Sequence, residues 1–125
     1  MTLVSTQELN DNLLDNVKII DASWHFLSNR NGFKEYQKEH VKNAIFFDLE
    51  KNSNQQKNLP HDHFLPEKKD WEEALSKMGI LNSDKVVIYD NSDLITSCRC
   101  WFQFLYFGHM PNLVFVLDGG LKKWK

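Results

Sequence analysis

The sequence has little of several things, and each shortage narrows the field. Its 125 residues hold only five glycines and three prolines, which leaves no room for a Gly/Pro-rich linker or a low-complexity tract. There are two cysteines, Cys98 and Cys100. Two residues apart on a helix they face different ways, so no disulfide between them is expected. No apolar run approaches the ~20 residues that cross a bilayer. The start, Met1-Thr2-Leu3-Val4-Ser5, has neither the basic flank nor the apolar stretch of a signal peptide, so a cytoplasmic, reducing setting is expected. A net charge of -2 gives no electrostatic case for nucleic acid or an anionic membrane. Only Arg30 and Arg99 are arginine among 15 basic residues, and asparagine is common, a bias read as AT-rich coding. What is present is 42% hydrophobic residues, enough to exclude a disordered tail. The expectation is one domain over residues 1–125.

Helix signals alternate with short apolar runs. Ser5-Thr6-Gln7-Glu8 is a capping box opening a helix with Leu9, Leu13 and Leu14. Val17 to Ile20 reads as a strand, Ala22 to Gly32 as a loop, and Phe33 to His40 as a short helix. Ala44-Ile45-Phe46-Phe47 reads as a second strand. Glu50 to Pro66 is polar with two prolines, and a loop of that length usually has a task. Pro66 suits the first turn of the next helix, whose stripe is Trp71, Leu75 and Met78 and whose stop is Gly79. Val86-Val87-Ile88-Tyr89 lacks alternation, as a strand buried on both faces does. Asn91 to Ile95 is a turn, Thr96 or Ser97 caps a helix to Phe107, and Leu113 to Leu117 is a further buried strand. Gly119-Gly120 turns into a final helix, expected to be cut short at Lys125.

That alternation predicts an α/β fold with a central parallel sheet flanked by helices. Ligands of such sheets sit beyond the carboxyl ends of the strands. Here those ends are Asp21, Asp48, Asp90 and Asp118. Aspartate is also a good strand terminator and helix cap.

Several segments in order resemble the rhodanese family: Ile19-Ile20-Asp21-Ala22-Ser23-Trp24, Glu35-Tyr36 through His40-Val41, Ala44 to Asp48, His63-Phe64-Leu65-Pro66, Val86 to Asp90, Arg99 with Trp101, Phe107-Gly108-His109, and Leu117-Asp118-Gly119-Gly120 with Trp124. The set is most similar to the N-terminal domain of two-domain thiosulfate and 3-mercaptopyruvate sulfurtransferases. The resemblance covers nearly the whole chain and implies the three-layer rhodanese-like fold. It departs at Lys42-Asn43, where the family has proline and glycine in a turn.

Rhodanese chemistry needs a cysteine directly after the central strand, in a nest of backbone N–H groups that lowers the thiol pKa. Asp90 stands there, and a carboxylate cannot accept a sulfane sulfur. The resemblance implies Asp at this position in the N-terminal domains and Cys in the partner domain. Phosphatase relatives of the fold carry arginine six positions after their cysteine; here those positions are Phe104 and Tyr106, which excludes that chemistry.

Other candidates remain open at this stage. The resemblance implies that His63 and Glu50 face the active site and form a triad with a serine of the catalytic domain; alternatively His63 anchors its loop. Cys98, near a helix start beside Arg99, is either a relocated sulfur acceptor or an ordinary packed thiol. Cys100 reads as a small core residue. Arg99 contacts a small sulfur-containing anion or a domain interface, or else pairs with a rim carboxylate such as Asp90 or Asp118. A metal site built from Cys98, Cys100, His61, His63 and His109 lacks structural-zinc spacing, and no cofactor is expected. Three readings follow: the non-catalytic half of a sulfurtransferase, whose partner is a catalytic rhodanese domain or a second copy; an independent sulfurtransferase using Cys98; or a non-enzymatic anion- or protein-binding module.

Overall fold

The computed structural model describes residues 3–11, 17–25, 29–54, 65–91 and 95–124. Ten elements follow in order: β1 Leu3–Val4, α1 Thr6–Asp11, β2 Val17–Asp21, α2 Gly32–Lys38, β3 Ile45–Phe46, α3 Lys68–Met78, β4 Lys85–Tyr89, α4 Ile95–Tyr106, β5 Val114–Leu117 and α5 Gly120–Trp124, with a 3-10 turn at Pro111–Leu113. The five strands form one sheet in the order β1-β5-β4-β2-β3, and every pairing is parallel. None of the described helices is long and apolar enough to cross a membrane.

The capping box forms as read. Ser5 Oγ accepts the Glu8 N–H at 3.0 Å, and Glu8 Oε1 accepts the Ser5 N–H at 3.3 Å. Two donors that the helix leaves orphaned are thereby satisfied. Leu9 is buried behind them, while Leu13 and Leu14 lie outside the described residues. Helix α2 begins one residue earlier than expected, because Asn31 Oδ1 caps it by accepting the Lys34 N–H at 2.9 Å. It also ends sooner, and His40 instead stacks on Tyr36 at 4.1 Å. Pro66 precedes α3 rather than entering its first turn, since Glu67 is the N-cap. Gly79 closes α3 in the left-handed region at φ 72°, its N–H reaching Leu75 O and Ser76 O.

Central strands bury side chains on both faces, as the unbroken apolar runs require. On one face Ile20, Val86, Ile88 and Val114 pack with Trp71 and Leu75 of α3 and Cys100 and Phe104 of α4. Trp71 is the hub: its ring stacks on Phe107 at 5.1 Å and meets Phe104 edge-on at 5.0 Å. On the other face Ile19, Val87, Tyr89 and Leu117 pack with Leu9, Val41, Ala44 and Leu121, with Tyr36 and Trp124 against them.

The departure at Lys42-Asn43 has a geometric reading. The Ala44 N–H closes a turn onto Val41 O at 2.9 Å, and Asn43 sits at φ 67°. Asparagine tolerates that left-handed position better than other residues with a side chain.

Strand β1 was not expected from the sequence. Two residues carry no period of their own. What makes Leu3-Val4 a strand is the distant pairing Leu3↔Val116 and Val4↔Leu117.

Candidate functional site at the carboxyl rim of the sheet

Parallel strands carry all their carboxyl ends to one rim, and the four aspartates arrive there in different states. Asp21 and Asp90 are buried, Asp48 is half-buried, and Asp118 is exposed.

Asp90 follows β4 and has no exposed surface. Its Oδ2 accepts the Ser97 N–H at 2.9 Å and the Thr96 Oγ1–H at 3.3 Å. Its carbonyl accepts the Leu121 N–H at 3.1 Å. Asp90 therefore satisfies the first turn of α4 from outside the helix, a negative charge against the positive end of the dipole. The anion-favouring start of α4 is filled by the chain's own carboxylate.

Asp21 ends β2, and its Oδ1 accepts the Ser23 N–H at 2.9 Å. Burial pushes its carboxyl above the usual range, and the Asp90 charge adds to that; hydrogen bonds from Ser23 and Tyr89 pull the other way. Asp48 follows β3, and its Oδ1 accepts the Lys51 N–H at 3.0 Å, shaping the turn that carries Glu50. Glu50 is exposed on that turn, and its carbonyl accepts the N–H and hydroxyl of Ser53.

Cys98 is half-buried on α4. Burial raises its thiol pKa, and the negative Asp90 raises it further. An activated nucleophile needs the opposite. Cys100 is fully buried, and burial holds its thiol protonated. Arg99, half-buried, has its Nε 3.4 Å from Gln103 Oε1, a neutral partner that neither reading of this arginine named. Gln103, itself buried, donates to Asn52 O at 3.0 Å, which ties α4 to the turn of Asp48 and Glu50. Burial also lowers the Arg99 pKa.

His63 and His61 lie outside the described residues. His109 is buried, and its Nε2 lies 2.8 Å from Asp84 O. Among the described residues no three His, Cys, Asp or Glu side chains converge as a metal site would require.

Sequence reasoning missed a second polar cluster at this rim. Arg30 grips Glu35 with two hydrogen bonds, Nε to Oε2 at 2.9 Å and Nη2 to Oε1 at 2.8 Å. That grip holds the Glu35 carboxyl below its usual range. Glu35 Oε1 also accepts the Asn91 side-chain amide at 3.1 Å, and His25 Nε2 lies 3.3 Å away. An open cleft of about 670 Å³ runs from Trp24, His25, Arg30 and Lys34 to Asp48, Glu50 and Lys51. The one usable signal was the Arg30…Glu35 spacing ahead of an aromatic residue. Nothing local pointed to Asn91.

With that geometry in place, the chain can be set beside known proteins. The profile of the rhodanese-like domain family matches residues 5–125. A thiosulfate/3-mercaptopyruvate sulfurtransferase of Arabidopsis thaliana is 42% identical over 125 residues, covering 98% of this chain and 35% of that protein. The 3-mercaptopyruvate sulfurtransferase of Homo sapiens is 36% identical over 111 residues, covering 86% of this chain and 36% of that protein. The crystal structure of SseA from Escherichia coli, a 3-mercaptopyruvate sulfotransferase with the rhodanese fold, matches with a TM-score of 0.89 at 30% identity. The match covers 99% of this chain and 47% of that one. The chain thus spans less than half the length of each of these relatives.

Proposed function

The chain belongs to the rhodanese-like domain family, and from that premise we propose that it serves as the non-catalytic half of a thiosulfate/3-mercaptopyruvate-type sulfurtransferase. The observation that carries this is Asp90. Where sulfur transfer needs a thiolate held in an anion-favouring nest, the residue after β4 is a carboxylate with no exposed surface. It already accepts from Thr96 and Ser97. A carboxylate oxygen is no acceptor for sulfane sulfur, and its charge repels an incoming thiosulfate or mercaptopyruvate. Cys98 offers no substitute, because burial and the charge of Asp90 both disfavour its thiolate.

In this role the domain presents its rim to a catalytic rhodanese domain. Arg99 bonds Gln103, which bonds Asn52 in the turn that carries Glu50, and the family resemblance implies a triad of His63 and Glu50 with a serine of that catalytic domain. The small sulfur-containing anion is held by the partner's nest, not by this one.

The test is an assay of purified protein with thiosulfate or 3-mercaptopyruvate and cyanide. The chain alone is expected to yield no thiocyanate above the uncatalysed rate. Adding a catalytic rhodanese domain is expected to give turnover that depends on that domain's cysteine. Turnover by the isolated chain that disappears in Cys98→Ser overturns the reading.

A further inference from the structure

The two longest described helices meet the solvent differently. The outer positions of α3 are charged: Lys68, Lys69, Glu72, Glu73 and Lys77 are exposed, and Lys68–Glu72 and Glu73–Lys77 pair one turn apart. That is the polar face of a helix packed on one side only. Helix α4 has no such face. Arg99 is its one charged residue. Its inward side is Thr96, Ser97, Cys100, Gln103 and Phe104, all buried. At 3.6 residues per turn, Cys98, Trp101, Phe102, Leu105 and Tyr106 then fall on the outer side. Phe102 is 47% exposed and Tyr106 61%, while Cys98, Trp101 and Leu105 are half-buried. A helix apolar all round belongs in an interior, and in the single chain the outer side of α4 is open.

We propose that the outer face of α4 docks a second copy of this chain, the two helices crossing antiparallel about a two-fold axis near Phe102. The residue sizes are self-complementary. Cys98, Phe102 and Tyr106 are spaced four apart and form one ridge of the helix. The ridge is small at one end and large at the other, so it fits its own reverse. Each Tyr106 comes over the Cys98 of the other copy, and the two Phe102 rings meet between them. Parallel pairing would set Tyr106 against Tyr106. A contact of this kind uses one patch twice and closes at two chains.

The charges agree with the sizes. Helix α4 carries no carboxylate, and its lone arginine flanks the ridge. A strongly charged partner finds almost no counter-charge here. An antiparallel copy meets no like charge: the two Arg99 side chains stay apart, and each approaches the Tyr106 ring of the other copy, where a guanidinium is attracted to the ring face. The anchors are already in place. The Phe102 and Tyr106 rings lie 6.1 Å apart, and Tyr106 meets Phe107 edge-on at 5.0 Å. Aromatic side chains held by their neighbours lose little freedom on docking and are favoured at interface centres.

Sedimentation equilibrium of the purified chain tests this without any sulfur substrate, so its outcome is independent of the proposed function. Loading concentrations run from about 1 μM to about 1 mM, the span of modest affinities. The mass is expected to climb from the 14.8 kDa of one chain towards twice that value. Tyr106→Glu, and Phe102→Glu combined with it, are expected to hold the single-chain mass throughout with an unchanged urea midpoint. Leu81→Glu, at an apolar residue 66% exposed elsewhere on the surface, is expected to pair as the wild type does. A wild type that keeps the single-chain mass at the highest concentration overturns the proposal, and so does a dimer that persists in both α4 variants. A wild type that stays single yet binds an added catalytic rhodanese domain, with that binding lost in the double variant, gives the face to that domain and overturns the second copy as its occupant.

Discussion

Asp21 and Tyr89 stand opposite each other in the register of β2 and β4, and the tyrosine hydroxyl accepts the Val41 N–H at 3.1 Å. One buried oxygen thus ties the end of a central strand to the start of the turn leading into β3. Tyr89 is fully buried and Asp21 is 1% exposed, so neither residue has water to fall back on. Tyr89→Phe keeps the ring's packing but strands the buried Val41 N–H. The expected loss is about 1–3 kcal/mol, read as a lower urea midpoint with unchanged slope.

The same pair predicts a pH signature. Burial raises the Asp21 carboxyl pKa above its unfolded value. Between the unfolded pKa of about 3.9 and the higher folded one, the native state binds more protons than the unfolded state. Stability contributed by this group therefore falls as pH rises through that window, and is restored as pH falls. Asp21→Asn keeps an acceptor for the Ser23 N–H and removes the charge. Relative to the wild type, the variant should gain stability between pH 4 and pH 7, measured by urea unfolding at both. A wild-type-minus-variant difference that is flat with pH would show that Asp21 is not strained by its burial.

Asn43 makes a sharp test of backbone geometry, since it is the one described residue other than glycine with positive φ. Asn43→Gly should change stability by less than about 0.5 kcal/mol, because relief in the fold is offset by freedom gained in the unfolded chain. Asn43→Val should cost about 1–2 kcal/mol or more, because a β-branched side chain is strained in that region. Thermal unfolding of the two variants separates them.

Gly32 is fixed by proximity. A Cβ there would sit 2.3 Å from the Ser23 carbonyl oxygen, and backbone cannot rotate away as a side chain can. Gly32→Ala should cost roughly 1–3 kcal/mol, as other overpacked sites do. It should also move Ser23, whose Oγ holds the Asn91 N–H. The Asn91 amide resonance should shift in this variant although residue 32 lies far from it in sequence.

Local features were legible in the sequence, and remote ones were not. The Ser5–Glu8 capping box, the Gly79 stop, the short apolar strand at residues 17–20 and the doubly buried run at residues 86–89 each state their physics within a few neighbouring residues. β1 could not be read, because its cause is β5, more than a hundred positions away. Asp90 was legible as a carboxylate at the nucleophile position. Its service to Thr96 and Ser97 was not, since that contact spans a turn whose shape the sequence does not state. The Ser23–Arg30–Glu35–Asn91 cluster joins residues 56 to 68 positions apart, and no periodicity reports such a meeting. His63 was singled out by its motif but lies outside the described residues.

The Asp90–Cys98 relation yields a prediction about thiol chemistry that the activity assay does not cover. The reactive species in alkylation is the thiolate. Burial first, and then the Asp90 charge, hold the Cys98 thiol above its ordinary pKa, so native Cys98 should react with iodoacetamide more slowly at pH 8 than a free thiol does. Cys100, fully buried, should not react until the chain unfolds. Asp90→Asn removes one of the two causes while leaving an oxygen to accept the Ser97 N–H. Its Cys98 should then alkylate severalfold faster at pH 8, and the pH–rate profile should move to lower pH. The profile distinguishes charge from exposure, because a loosened helix start would raise the plateau rate without moving the midpoint. An unmoved midpoint would mean that burial alone governs this cysteine, with the neighbouring carboxylate irrelevant to it.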